Sequence, residues 1–193
     1  MSDEAGHSPV NAELDALERR SLLHAAREAI AAHLAGRTAA LPPATGGLCA
    51  ARGAFVTLRH AVDGELRGCV GHMDADEPLL ETVTDMAVAA ATRDGRFDPV
   101  TTSELASLRI EISVLSPLAP IRPSEVELGR HGLLLRHGDR RGVLLPQVPA
   151  EHGWDREAFL GATCEKAGLP ADTWRRPGVE LLGFTATVFG ENE

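Results

Sequence analysis

Cys69 is the residue whose setting points most directly to chemistry. It stands in the string Leu66-Arg67-Gly68-Cys69-Val70-Gly71, where glycines on either side leave a thiol approachable by a ligand instead of crowded by side chains. The thiolate is the form that attacks an electrophile. Arg67, two residues earlier on the same face of a strand, brings a guanidinium that favours it. His72, three residues on, and His60, earlier in the chain, are candidates for a general base or, with the thiol, for metal ligation. One Cys-x-x-His without a second cysteine or histidine pair falls short of a metal site, so none is expected. The competing reading of Cys69 is a core thiol, since unpaired cysteine is among the most buried residue types.

Other candidates lie further along the chain. His131 precedes Gly132 and His137 precedes Gly138, at loop or strand-end positions where functional side chains concentrate. Turn or cap duty is the simpler reading for His137. Arg96-Phe97 reads either as a cation held over an aromatic anchor or as a staple closing a turn. Glu111, between Ile110 and Ile112, is expected to face solvent or an arginine. Lys166 is the only lysine in a chain that otherwise uses arginine. Either cation suits a helix C-terminus, so the choice of lysine points to a need for the smaller ammonium. Cys49, Cys69 and Cys164 are odd in number and widely spaced, which fits neither a disulfide framework nor structural zinc.

These residues must be positioned by local elements. Apolar residues at helical spacing from Leu14 to Ile30 predict an amphipathic helix with Asn11 as N-cap and Gly36 as stop. Two alternating runs around Asp63-Gly64 predict a β-hairpin. With those two residues as the loop, Leu58 would pair with Cys69 and His60 with Arg67, putting His60, Arg67 and Cys69 on one face. A second helix opens at Glu77-Pro78 and ends near Thr92, and a strand over residues 109–115 stops before Pro117. Gly138-Asp139 centres a second hairpin, a helix starts at Trp154-Asp155 and is capped by Gly168, and residues 179–189 read as one long final strand. The order predicts an α+β fold with a mostly antiparallel sheet. No glycine-rich phosphate loop follows a strand, so ATP and nicotinamide cofactors are not indicated.

Composition sets the outer bounds. The 193 residues, 44% hydrophobic and 24% charged, match an ordinary globular chain large enough to fold without a metal or disulfide. A net charge of -9 repels a phosphate backbone and argues against sequence-independent nucleic-acid binding. No apolar run approaches the ~20 residues of a spanning helix. Asp3 and Glu4 stand where a secretory signal would carry positive charge, so a cytoplasmic protein is expected. Residues 1–10 are polar and expected to be disordered, leaving residues 11–193 as a single domain.

The string from Leu66 to Gly71 resembles the Leu-Arg-Gly-Cys-Ile-Gly hallmark of the AMMECR domain family, named for the AMME syndrome chromosomal region. Phe55-Val56-Thr57, Asp94-Gly95-Arg96-Phe97, His131-Gly132, Leu145-Pro146-Gln147-Val148, Gly153-Trp154 and Lys166-Ala167-Gly168 follow the same pattern, spanning about residues 52–189. The resemblance implies two unequal lobes, a larger sheet with helices on one side and a smaller, mostly β lobe, with a cleft between them. It adds weight to Arg67, Gly68, Cys69, Gly71, Arg96, Phe97, His131, Gln147, Trp154 and Lys166 without assigning roles. His60 and His72 lie outside the pattern, as does Glu111. Relatives often accompany a radical SAM protein and a Memo-like protein in the AmmeMemoRadiSam system, in which this family is protein A.

Two functional expectations follow. In the first, Cys69 is a nucleophile or covalent anchor, with His131 as proton carrier. Arg67, Gly68, Gly71, Arg96, Phe97, Gln147 and Lys166 would then bind a small, anionic substrate or a modified group delivered by the partner enzymes. In the second, the protein is a non-catalytic accessory that binds a ligand or a Memo-like or radical SAM partner, with Cys69 serving packing. No cofactor is expected in either case.

Overall fold

A computed structural model describes residues 13–191. The predicted N-cap Asn11 and the predicted disordered segment 1–10 lie outside the described residues. The chain forms two units, one running to Val114 and resuming at Val188, the other Leu115–Thr187.

In the first unit, helix α1 (Ala16–Leu34) starts later than the periodicity predicts. Asp15 accepts from the N–H groups of Leu17 and Glu18, and Glu18 reaches back to the Asp15 N–H. This reciprocal box satisfies two orphan donors and sets the helix start. Strands β1 (Ala54–His60) and β2 (Leu66–His72) form the first hairpin, and helix α2 (Leu79–Thr92) and the short α3 (Thr102–Leu105) precede β3 (Leu108–Leu115). Together with β8 (Ala186–Gly190), these strands make a four-stranded sheet in the order β2-β1-β3-β8. Ala54, Val56 and Leu58 alternate toward the helices and are completely buried, alongside Ile110, Ile112 and Val114 of β3. Leu22, Ile30, Leu79 and Val83 supply the helical side of that core. The sheet's helix-covered face is therefore set by period-2 patterning against two apolar helical stripes.

The hairpin itself departs from the predicted register. Asp63-Gly64 is not a two-residue loop: residues 61–64 form the turn, closed by the His60 N–H to the Glu65 carbonyl at 2.9 Å. Arg67 is then an extra residue on β2, bulged between the pairs Arg59↔Leu66 and Leu58↔Gly68. Cys69 consequently faces Thr57, and Gly71 faces Phe55. Along β1 the alternation places His60 with Leu58 on the helix side, away from Cys69.

The second unit carries β4 (Ala119–Pro120), β5 (Gly132–His137), β6 (Arg140–Leu144) and β7 (Glu180–Phe184), in the order β4-β7-β5-β6, with helices α4 (Val148–His152) and α5 (Arg156–Lys166). Here the two-residue turn holds: His137 pairs with Arg140 around Gly138, whose φ of 59° suits glycine. Asp155 caps α5, and Gly168, at φ 69°, ends it with the Leu169 N–H returning to the Cys164 carbonyl. The predicted long final strand is two strands in two sheets. They separate at Thr185, which exchanges hydrogen bonds with Ser116, its N–H to Oγ and its carbonyl to the Ser116 N–H, both at 2.9 Å. The architecture is α+β with two antiparallel sheets. Among the described residues, no helix is long and apolar enough to cross a membrane.

Candidate functional site

Cys69 lies on β2, the edge strand of the first sheet. Its peptide points outward, away from β1, and both polar groups are taken by the turn after α2. The Cys69 N–H donates to Asp94 Oδ2 at 2.8 Å, and its carbonyl accepts from Arg96 Nη2 at 3.3 Å. Asp94 in turn accepts from Arg96 through Nε at 2.9 Å and Nη2 at 2.7 Å. The Arg96 guanidinium, with help from the Cys69 and Arg96 N–H groups, holds the Asp94 carboxyl well below the usual carboxylate range. The turn thus replaces a missing neighbour strand and caps the exposed edge for one residue.

With its peptide aimed outward, Cys69 and Thr57 form a non-hydrogen-bonded pair, the arrangement that brings facing side chains closest. Thr57 Oγ1 donates to Cys69 Sγ at 3.3 Å. Thr57 is buried and Cys69 half-buried. Across β1, Thr57 pairs with Glu111 of β3, so thiol, hydroxyl and carboxylate form one row on the face opposite the helices. Sequence reasoning missed Thr57 and set Glu111 aside. The signal was present, because Ala54, Val56 and Leu58 are the apolar members of an alternating strand and force Thr57 to the other side.

Several predicted roles change. Arg67 does not sit beside the thiol as a free cation. Its bulged position re-aims the side chain to Glu104, with Nε to Oε1 at 2.5 Å, and to the Asp98 carbonyl at 2.9 Å. Gly68 and Gly71 do not open the thiol to a ligand. A Cβ on Gly68 would lie 2.2 Å from the Ala90 carbonyl oxygen, so this glycine lets β2 pack directly on the α2 backbone. A Cβ on Gly71 would fall 2.1 Å from the Phe55 ring, which covers the glycine. Phe97 has Arg67 and Arg96 over its ring, at 5.8 and 5.5 Å from the centroid, which is the arrangement of the cation reading of Arg96-Phe97. The His72 ring bonds Asp76 at 2.8 Å.

The structure therefore brings together Arg67, Gly68, Cys69, Gly71, Arg96 and Phe97 in the first unit, while His131, Gln147 and Lys166 belong to the second. There, His131 Nδ1 accepts from the Glu127 N–H at 3.0 Å, leaving Nε2 to carry the ring proton of the neutral form. His131 borders a pocket of about 440 Å³ with Phe184 and Thr185. Gln147 is exposed and its carbonyl starts α4. Lys166 is exposed in the last turn of α5, against which Gly142 of β6 packs closely. Cys49 is exposed and Cys164 buried, with burial pushing the Cys164 thiol up. Among the described residues no group of three His, Cys, Asp or Glu side chains is placed to hold a metal.

This is an α+β protein whose hallmark string forms a pinned edge strand presenting one thiol. The chain belongs to the AMMECR1 family, which it matches over residues 23–189. Among its relatives, Protein MK0488 of Methanopyrus kandleri is 45% identical over 185 residues, covering 91% of this chain and 89% of the relative. Protein MJ0810 of Methanocaldococcus jannaschii is 46% identical over 149 residues, covering 74% of each. The crystal structure of uncharacterized protein PH0010 from Pyrococcus horikoshii is similar in fold, with TM-score 0.77 and 39% identity over 89% of this chain and 90% of that one.

Proposed function

We propose that the chain is a cysteine-dependent enzyme in which the Cys69 thiol is nucleophile or covalent anchor for a small or protein-delivered substrate. The observation that carries this reading is the Thr57 hydroxyl donating to Sγ at 3.3 Å, on a residue whose peptide is held by Asp94 and Arg96. A donor aimed at sulfur stabilises negative charge as it develops there, and a pinned peptide fixes the direction of attack. Within the string, Arg67, Gly68, Val70 and Gly71 are consumed by Glu104, Ala90, the core and Phe55. The Cys69 side chain is half-buried and engaged by the Thr57 hydroxyl. In the covalent step sulfur bonds to an electrophilic carbon, the thiol proton passes to a base, and the leaving group departs with its bonding pair and takes that proton. Radical SAM and Memo-like proteins are the proposed partners supplying or consuming the substrate.

A second reading, a non-catalytic ligand- or partner-binding protein with Cys69 structural, is favoured by the packing that fills both glycines of the string. Alkylation by iodoacetamide, followed residue by residue by peptide mass spectrometry, separates the two. The enzyme reading expects Cys69 to react in the folded protein well before both exposed Cys49 and buried Cys164, and Thr57→Val to slow it. A Cys69 that reacts only on unfolding selects the second reading.

A further inference from the structure

Helix α5 and the three-residue 3-10 turn Thr173–Arg175 border an open pocket of about 450 Å³, in the second unit and independent of Cys69. Its walls are Trp154 and Trp174, the only two tryptophans of the chain. Both pack against the core of that unit, which makes them fixed walls. The floor is made of small residues, Ala158, Gly161 and Ala162, at helical spacing along α5. Glu157, Glu165 and Asp172 stand around the rim. Flat π-faces with carboxylates at the edge are the chemistry that holds an organic cation, because the ring quadrupole and the carboxylates attract it together while the apolar floor accepts its carbon body.

The chain already places a cation there. The Arg175 guanidinium lies 4.4 Å from the Trp174 ring centroid and donates to Glu157 Oε2 at 2.9 Å. Both partners of that ion pair are more than half exposed, at 55% and 73%, so the arm is weakly held and displaceable. Asp172 is paired with Arg176, whereas Glu165 is engaged by neither arginine. His152 covers one face of Trp154 in a stacked arrangement at 4.5 Å.

We infer that this pocket binds a weakly hydrated organic monocation, a quaternary ammonium or a guanidinium on a short carbon body, with Arg175 as a built-in competitor for the Trp174 face.

The test uses the full chain and its own fluorescence, because both tryptophans line the pocket and the protein has no tyrosine. Choline is titrated against 3,3-dimethylbutan-1-ol, the neutral molecule of the same shape. The expected result is a saturable change in tryptophan emission with choline and none with the alcohol. Arg175→Ala should tighten choline binding roughly threefold by vacating the ring, and Glu165→Gln should weaken it by about the same factor. Both substitutions are on exposed side chains, so loss of folding does not obscure the result. An equal response to the alcohol, no saturable response in either the wild type or Arg175→Ala, or weaker binding by Arg175→Ala would overturn the inference.

Discussion

Replacing Asp94 tests the pinned edge strand most directly. The Asp94 side chain is 7% exposed, whereas Arg96 is 56% exposed. In Asp94→Ala the Cys69 N–H loses a charged acceptor on a half-buried strand, a loss of about 1.5–3 kcal/mol. The released Arg96 is rehydrated, so its share is about 0–1 kcal/mol. The expected total is about 1.5–4 kcal/mol, or a fall of roughly 1–2 M in the urea midpoint for a chain of this size. Asp94→Asn keeps an oxygen for the Cys69 N–H and should cost only about 1 kcal/mol. The pH dependence has a defined sign. The folded-state carboxyl titrates below its unfolded value, so its contribution is fully present above about pH 4 and is lost as pH falls toward the folded value. Urea melts of wild type, Asp94→Ala and Asp94→Asn across pH 2–7 measure all of this. An Asp94→Ala protein within about 0.5 kcal/mol of wild type at pH 7, or a gap to Asp94→Asn that does not narrow below pH 4, would refute the role given to this turn.

Two further outcomes follow from individual contacts. Gly71→Ala should destabilise the first unit by about 1–3 kcal/mol by driving a methyl into the Phe55 ring, and Phe55→Ala should relieve most of that cost in a double-mutant cycle read by thermal melts. The Glu28 carboxyl, bound by Arg37 and the Ala40 N–H, should titrate at about 2 by carboxyl-carbon NMR and return toward the ordinary range in Arg37→Ala.

Much of the fold was legible because the decisive signals were local. Asp155 and Gly168 bracket α5, Pro117 follows β3, and Gly138-Asp139 gives the second hairpin its register. The first hairpin was misread for one local and one tertiary reason, its turn taking four residues, 61–64, instead of two. Glu104 and the Asp98 carbonyl draw Arg67 into a bulge, and neither is near it in sequence. The four-residue turn slides the register by two and the extra residue returns it by one, so that Cys69 faces Thr57 in place of Leu58. The glycines show the same limit. A glycine beside a thiol looks like an opening, and only the fold reveals that Ala90 and Phe55 occupy the space. The break at Thr185 was illegible because both halves of the run are good strand sequence, and only pairing assigns them to different sheets.

The last strand has a consequence for synthesis on the ribosome. β8 completes a sheet whose other three strands are finished by Leu115, and Glu191 then clamps Arg27 across a sequence separation of 164 residues. At ~5–20 residues per second, the stretch Leu115–Thr187 delays that closure by roughly 4–15 s. During this interval the β3 edge that β8 will cover is a nascent-chain surface open to other strands, while the second unit already holds all four strands of its own sheet before β8 is made.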